Sequence, residues 1–123
     1  MATSIINSLV EKGTFTAYLY DNTTKLGEIP NCKYLKIGSL YAIKIYVASF
    51  NYTFETMLQI RNLPCKDIFG GSMYIAQLAS KGAEYTIQGS SIDSSTSYAY
   101  IRPNFTGSIT SGIFSMFLMG SNL

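Results

Sequence analysis

Hydrophobic and polar residues alternate with a period of two along most of this chain, beginning just after Gly13. Phe15, Ala17 and Leu19 interleave with Thr14, Thr16, Tyr18 and Tyr20, the pattern of a half-buried strand, and Asp21-Asn22 supplies a turn. Pro30-Asn31 predicts a second break, followed by Lys33, Leu35 and Ile37 alternating with Cys32, Tyr34 and Lys36 up to a reversal at Gly38-Ser39. Tyr41, Ile43, Ile45 and Val47 then point inward in the clearest strand of the chain, and residues 49–52 are read as a loop. Phe54, Thr56, Leu58 and Ile60 alternate with their neighbours in the next strand, which Pro64 ends because proline cannot donate to a central ladder.

Gly70-Gly71 opens a second half, with strands predicted at about 72–78, 83–88, 97–102 and 109–119 and a polar loop over Ser90–Ser97. Seven or eight short strands bounded by turn residues predict an all-β, antiparallel sandwich of jelly-roll type. Ahead of them, Ile5, Ile6, Leu9 and Val10 recur on one helical face behind Thr3 and Ser4, predicting a short helical or extended segment that ends near Gly13. The expected organisation is an attachment segment over 1–12 and a β-sandwich domain over 13–123.

The last strand is apolar on both faces: Ile113, Phe117 and Met119 on one, Phe114, Met116 and Leu118 on the other. A strand of that kind is normally covered on both sides. One side meets the core. Phe114, Met116 and Leu118, with Ile5, Ile6 and Leu9 of the first segment, are the candidate subunit interface; the alternative is that one chain covers both sides.

Composition sharpens this picture. Charged residues make up 13% of 123 residues, about half the usual ~25%, while 47% are hydrophobic. So little charge points to surface buried in an assembly. The net charge of +2 comes from lysines and arginines spread singly along the chain, without the concentrated basic face of a nucleic-acid binder. No apolar run reaches the ~18 residues of a membrane-spanning helix, so no membrane insertion is expected. Residues 1–4 show no signal-peptide pattern, which predicts synthesis in a cytoplasm.

The chain has no histidine, which removes the commonest general base and metal ligand and excludes a Cys–His nucleophile for Cys32 or Cys65. The acids Glu11, Asp21, Glu28, Glu55, Asp67, Glu84 and Asp93 are isolated in sequence, and no spacing favours a catalytic pair. No enzyme activity, metal or cofactor is expected. Recognition has better support, because tyrosine and asparagine offer flat apolar faces with polar tips. The candidate recognition residues are Asn51 and Tyr52 in one loop, and Asp93 with Tyr98 and Tyr100 in and after another. The alternative for the second group is a plain solvated hairpin with cross-strand tyrosines.

Three of these stretches together resemble a known family. Gly13-Thr14-Phe15-Thr16, Tyr34-Leu35-Lys36-Ile37-Gly38 leading into 40–47, and Ile60-Arg61-Asn62-Leu63-Pro64 are similar to strands of the C-terminal β-sandwich (receptor-binding or knob) domains of bacteriophage tail fibres and related virion appendages. The likeness covers 13–64 in its motifs and the remainder only in strand layout. Two departures stand out: Ala17-Tyr18-Leu19-Tyr20 replaces the family's usual continuation of the first strand, and no fibrous stem precedes it. The resemblance implies a homotrimeric virion protein made in a bacterial host, joined to other virion proteins through its N-terminal segment and binding a bacterial surface glycan or protein. Three other readings stay open: an architectural virion decoration or adaptor, a carbohydrate-binding module unrelated to phage, and a polysaccharide-degrading enzyme.

Overall fold

Asn22 and Gly38 turn the first three strands back on one another. Both adopt the left-handed conformation that tight turns require, at φ of 56° and 60°. The computed structural model describes residues 10–76, 83–92, 98–103 and 105–122. The strands are β1 (Val10–Asp21), β2 (Thr24–Ile37), β3 (Leu40–Phe54), β4 (Leu58–Arg61), β5 (Asp67–Ala76), β6 (Ala83–Ile92), β7 (Ala99–Pro103) and β8 (Gly107–Ser121). All neighbours are antiparallel, and the order β1-β2-β3-β8-β5-β6-β7-β4 closes on itself as a barrel.

The all-β antiparallel expectation holds, and the strands pair around a single ring where two separate sheets were expected. Each half of the chain traces the same path. β1–β4 lie in the spatial order 4-1-2-3 and β5–β8 in the order 8-5-6-7, both of which are Greek keys. The narrowest seam lies between β4 and β7, joined by the single pair Ile60↔Ile101. Residues just after β4 extend it: Leu63 N–H donates to Ala99 O at 3.3 Å, and Ala99 N–H to Cys65 O at 2.8 Å.

Several predicted boundaries move. β1 starts at Val10 and pairs Val10 with Ile37, so residues 10–12 belong to the barrel and not to a separate segment. The rest of the predicted N-terminal helix, including Ile5, Ile6 and Leu9, lies outside the described residues. β2 runs through Pro30-Asn31, which a bulge opposite Thr16 accommodates; there Asn31 takes φ 59° and the missing proline N–H breaks no ladder bond. β3 likewise runs through the expected loop at 49–52, with bulges between Val47 and Tyr52.

The interior is packed with side chains, as an eight-stranded barrel allows. Phe50 and Phe114 stack at 4.7 Å between ring centroids, Phe54 lies 6.4 Å from Phe50, and all three are fully buried with Leu19, Ile43, Ile45, Leu58 and Ile60.

One end of the barrel is tied by a carboxylate. Asp21 accepts backbone N–H bonds from Glu55, Thr56 and Met57 at 3.0, 3.0 and 2.9 Å, fixing the β3–β4 bend onto the β1–β2 turn. These donors, that of Met57 foremost, hold the Asp21 carboxyl below its ordinary value of 3.8. The stabilisation is therefore present in full above about pH 4 and drains away as the pH falls through the depressed value. Asp21→Asn is expected to melt at lower temperature than the parent at neutral pH and to lose less on acidification. Parallel thermal melts from pH 7 to pH 2 check this; equal acid sensitivity in the two proteins would refute it.

Candidate functional site

Pairing on both sides of β8 decides which of its apolar faces looks outward. Phe114, Met116 and Leu118 stand in register with Val47, Ile45 and Ile43 of β3 and with Ile75, Met73 and Gly71 of β5. These rows line the interior, and the three side chains are 0–1% exposed. The candidate interface residues Phe114, Met116 and Leu118 are thus core residues. The outward apolar side chains are Ile113, Phe117 and Met119, at 40%, 51% and 45% exposure. Tyr74 and Phe69 on β5, and Leu40 and Ile37 at the β2–β3 turn, extend this strip. Together these side chains form an apolar outer strip, bordered at Phe117 by Lys44 of β3.

Beside the strip, on β1, β2 and β3, three lysines stand on neighbouring strands. The outer rows read Lys12↔Leu35↔Ala42↔Met119 and Thr14↔Lys33↔Lys44↔Phe117. Lys33 and Lys44 therefore face each other directly across two strands, and Lys12 stands diagonally from Lys33. The ion pairs among the described residues, Lys25–Glu28 at 2.7 Å and Lys36–Glu11 at 4.0 Å, leave all three out. Two depressions flank the pair. The larger, about 510 Å³, is lined by Lys33 and Lys44 together with Lys12, Leu35, Ala42 and Phe117. The smaller, about 190 Å³, is lined by Asn31, Lys33, Lys44 and Tyr46.

The residues predicted to form a recognition surface are not brought together. Asn51 and Tyr52 lie near the start of β8, where Tyr52 pairs with Ile109. Tyr98 adjoins the opposite end, since Ala99 bonds Cys65 and the neighbouring Lys66 N–H donates to Ser121 O. Three strands separate β3 from β7 in either direction around the ring. Asp93 lies outside the described residues. Tyr52 is half-buried, its ring 4.8 Å from that of Phe50, and with Asn51, Leu26, Thr53 and Ile109 it lines a depression of about 520 Å³. Tyr98 is 44% exposed.

Tyr100 has a different neighbour from the one expected. The Arg61 guanidinium lies between the Tyr20 and Tyr100 rings, 4.1 and 4.9 Å from their centroids. It also donates to Gln59 Oε1 at 3.1 and 2.8 Å and to Asn22 O at 3.1 Å. This clasp spans the β4–β7 seam, so Tyr100 strengthens the weakest junction of the ring.

Both cysteines are free and buried. Cys32 Sγ donates to Ile29 O at 3.2 Å and Cys65 Sγ to Asp67 O at 3.3 Å. Burial raises both thiols above their ordinary value, Cys65 to about 11, which keeps them protonated and unreactive near neutrality. No family model matches the chain, and neither a curated protein nor a solved structure is detectably similar to it.

Proposed function

We propose that this chain is the attachment domain of a bacteriophage virion appendage, of tail-fibre or head-fibre type, which assembles as a homotrimer and binds a host-surface component. The observation that carries this reading is the outward apolar strip of Ile113, Phe117 and Met119 with Tyr74 and Phe69. A barrel whose interior is already filled has no use of its own for such a strip, whereas a neighbouring copy buries it. The proposed location is the virion, with residues ahead of β1 joining the domain to other virion proteins. A jelly-roll-like, two-layered form belongs to the same proposal and draws support from the one-pair β4–β7 seam and the two Greek keys.

A purely architectural role in the virion is the second reading. It is favoured by the placement of Asn51–Tyr52 and Tyr98–Tyr100 at separate places on the barrel.

Light scattering at micromolar concentration tests the assembly. The expected mass is three times 13.6 kDa, reduced to a single chain when Phe117 and Met119 are both changed to serine. A parent protein that is monomeric throughout overturns the assembly. Binding of the parent to intact host cells then separates attachment from architecture, the second role predicting none.

A further inference from the structure

We infer that the outer face of β1–β3 carries a binding site for an acidic saccharide chain, centred on Lys33 and Lys44. The site goes beyond the attachment reading, because it lies apart from Asn51–Tyr52 and does not require the trimer.

The like-charged pair is the first ground. Directly opposed residues on antiparallel strands have Cβ atoms about 5 Å apart, and like charges in that position destabilise a sheet. Lys33 and Lys44 are so placed, with Lys12 on the adjoining strand, and no described acid pairs with any of them. An anionic occupant would convert this repulsion into binding. Unfavourable charge that the fold does not relieve is characteristic of functional surfaces.

The relief of the face selects the occupant. The lysine pair stands as a ridge between two depressions of different character, about 510 and 190 Å³. The smaller offers the Asn31 amide, the Tyr46 phenol and both ammonium groups, which suit a carboxylate together with ring hydroxyls. The larger offers Leu35 and Ala42, a floor for the apolar face of a sugar ring on the side away from the Phe117 strip. A chain of linked rings laid over the ridge places one ring in each depression and its acidic group between the lysines. A flat lipid surface follows neither hollow. The closed barrel offers no free edge here to pair with a peptide strand, since β2 is hydrogen-bonded to both β1 and β3.

Calorimetry with tetragalacturonate at low salt tests the site, with maltotetraose as the uncharged control of equal length. The acidic oligosaccharide is expected to bind and the neutral one not. Lys33→Gln with Lys44→Gln is expected to weaken binding about tenfold or more. Added salt should weaken it in the parent. Lys44→Glu is expected to abolish binding while raising the melting temperature by about 3 °C, because it places opposite charges across the strands.

Equal binding of maltotetraose, or undiminished binding by the double glutamine variant, overturns the site. Polyglutamate bound as tightly as tetragalacturonate overturns the saccharide assignment, as does recruitment to phosphatidylglycerol vesicles without tetragalacturonate binding. A Lys44→Glu protein no more stable than the parent removes the electrostatic premise. Light scattering on the same samples reads the assembly directly, so a failure of saccharide binding is told from a failure of the trimer.

Discussion

Phe114→Ala is expected to destabilise the protein by about 3–5 kcal/mol, whereas Phe117→Ala, three residues along the same strand, changes monomer stability by only about 0.5 kcal/mol. The Phe114 ring is fully buried and stacks on Phe50 at 4.7 Å and 16°, in the middle of the aromatic core. Its removal loses the transfer energy of the ring and leaves a cavity that the neighbouring strands, held in register on both sides, cannot close. Phe117 is 51% exposed and faces outward. The comparison therefore reads the orientation of β8. Urea unfolding of both variants, at a concentration where the parent is monomeric, gives the two midpoints. Similar losses, or the larger loss at Phe117, would mean that the strand is turned the other way.

That orientation is what alternation alone could not supply. In β1 and β3 one face is apolar and the other polar, so Ala17, Leu19, Tyr41, Ile43 and Ile45 are assigned inward from sequence and are buried in the structure. In β8 both faces are apolar, and the period of two fixes which residues share a side without fixing which side is in. The deciding information is nonlocal: β8 pairs with β3, about seventy residues away, and with β5, whose own inner residues are Met73 and Ile75. Ring closure is hidden for the same reason, since it depends on β4 meeting β1 and β7.

Local chemistry misled in other places. Pro30-Asn31 and residues 49–52 read as breaks because proline, asparagine and serine favour turns, yet bulges absorb both inside long strands. Asp21 reads as a turn residue and is one, but its bonds to Glu55, Thr56 and Met57 reach across more than thirty residues and leave no local trace. Tyr100 reads as a ligand-facing aromatic, whereas its neighbour is an arginine from a strand forty residues earlier.

The lysine pair was within reach. A two-residue turn at Gly38-Ser39 pairs Ile37 with Leu40, and stepping back along that hairpin brings Lys33 opposite Lys44. Only the depressions on either side required the folded chain.

Gly120→Ala is expected to destabilise the protein by about 3 kcal/mol, lowering its melting temperature by roughly 12 °C. β8 ends here against β5, with Gly120 in register with Tyr41 on one side and Ile68 on the other. A Cβ at this position would run into the Asp67 carbonyl oxygen, lie 2.5 Å from Cys65 Sγ and come within 2.9 Å of Ile68 Cδ1. The first of these is backbone held by the β5–β8 ladder, so it cannot swing aside as a flexible side chain would. The buried thiol has no room to retreat either, since it is bonded to Asp67 O. Relief requires the start of β5 to move off β8. That shift also strains the bond from Lys66 N–H to Ser121 O at this end of the barrel. Gly38→Ala is the control, because nothing lies within 4 Å of its added methyl group and only the left-handed backbone, at φ 60°, opposes it. Its loss should be about 1 kcal/mol. Circular-dichroism melts rank the two. A Gly120→Ala protein as stable as Gly38→Ala would show that β5 and β8 do not approach so closely at this end.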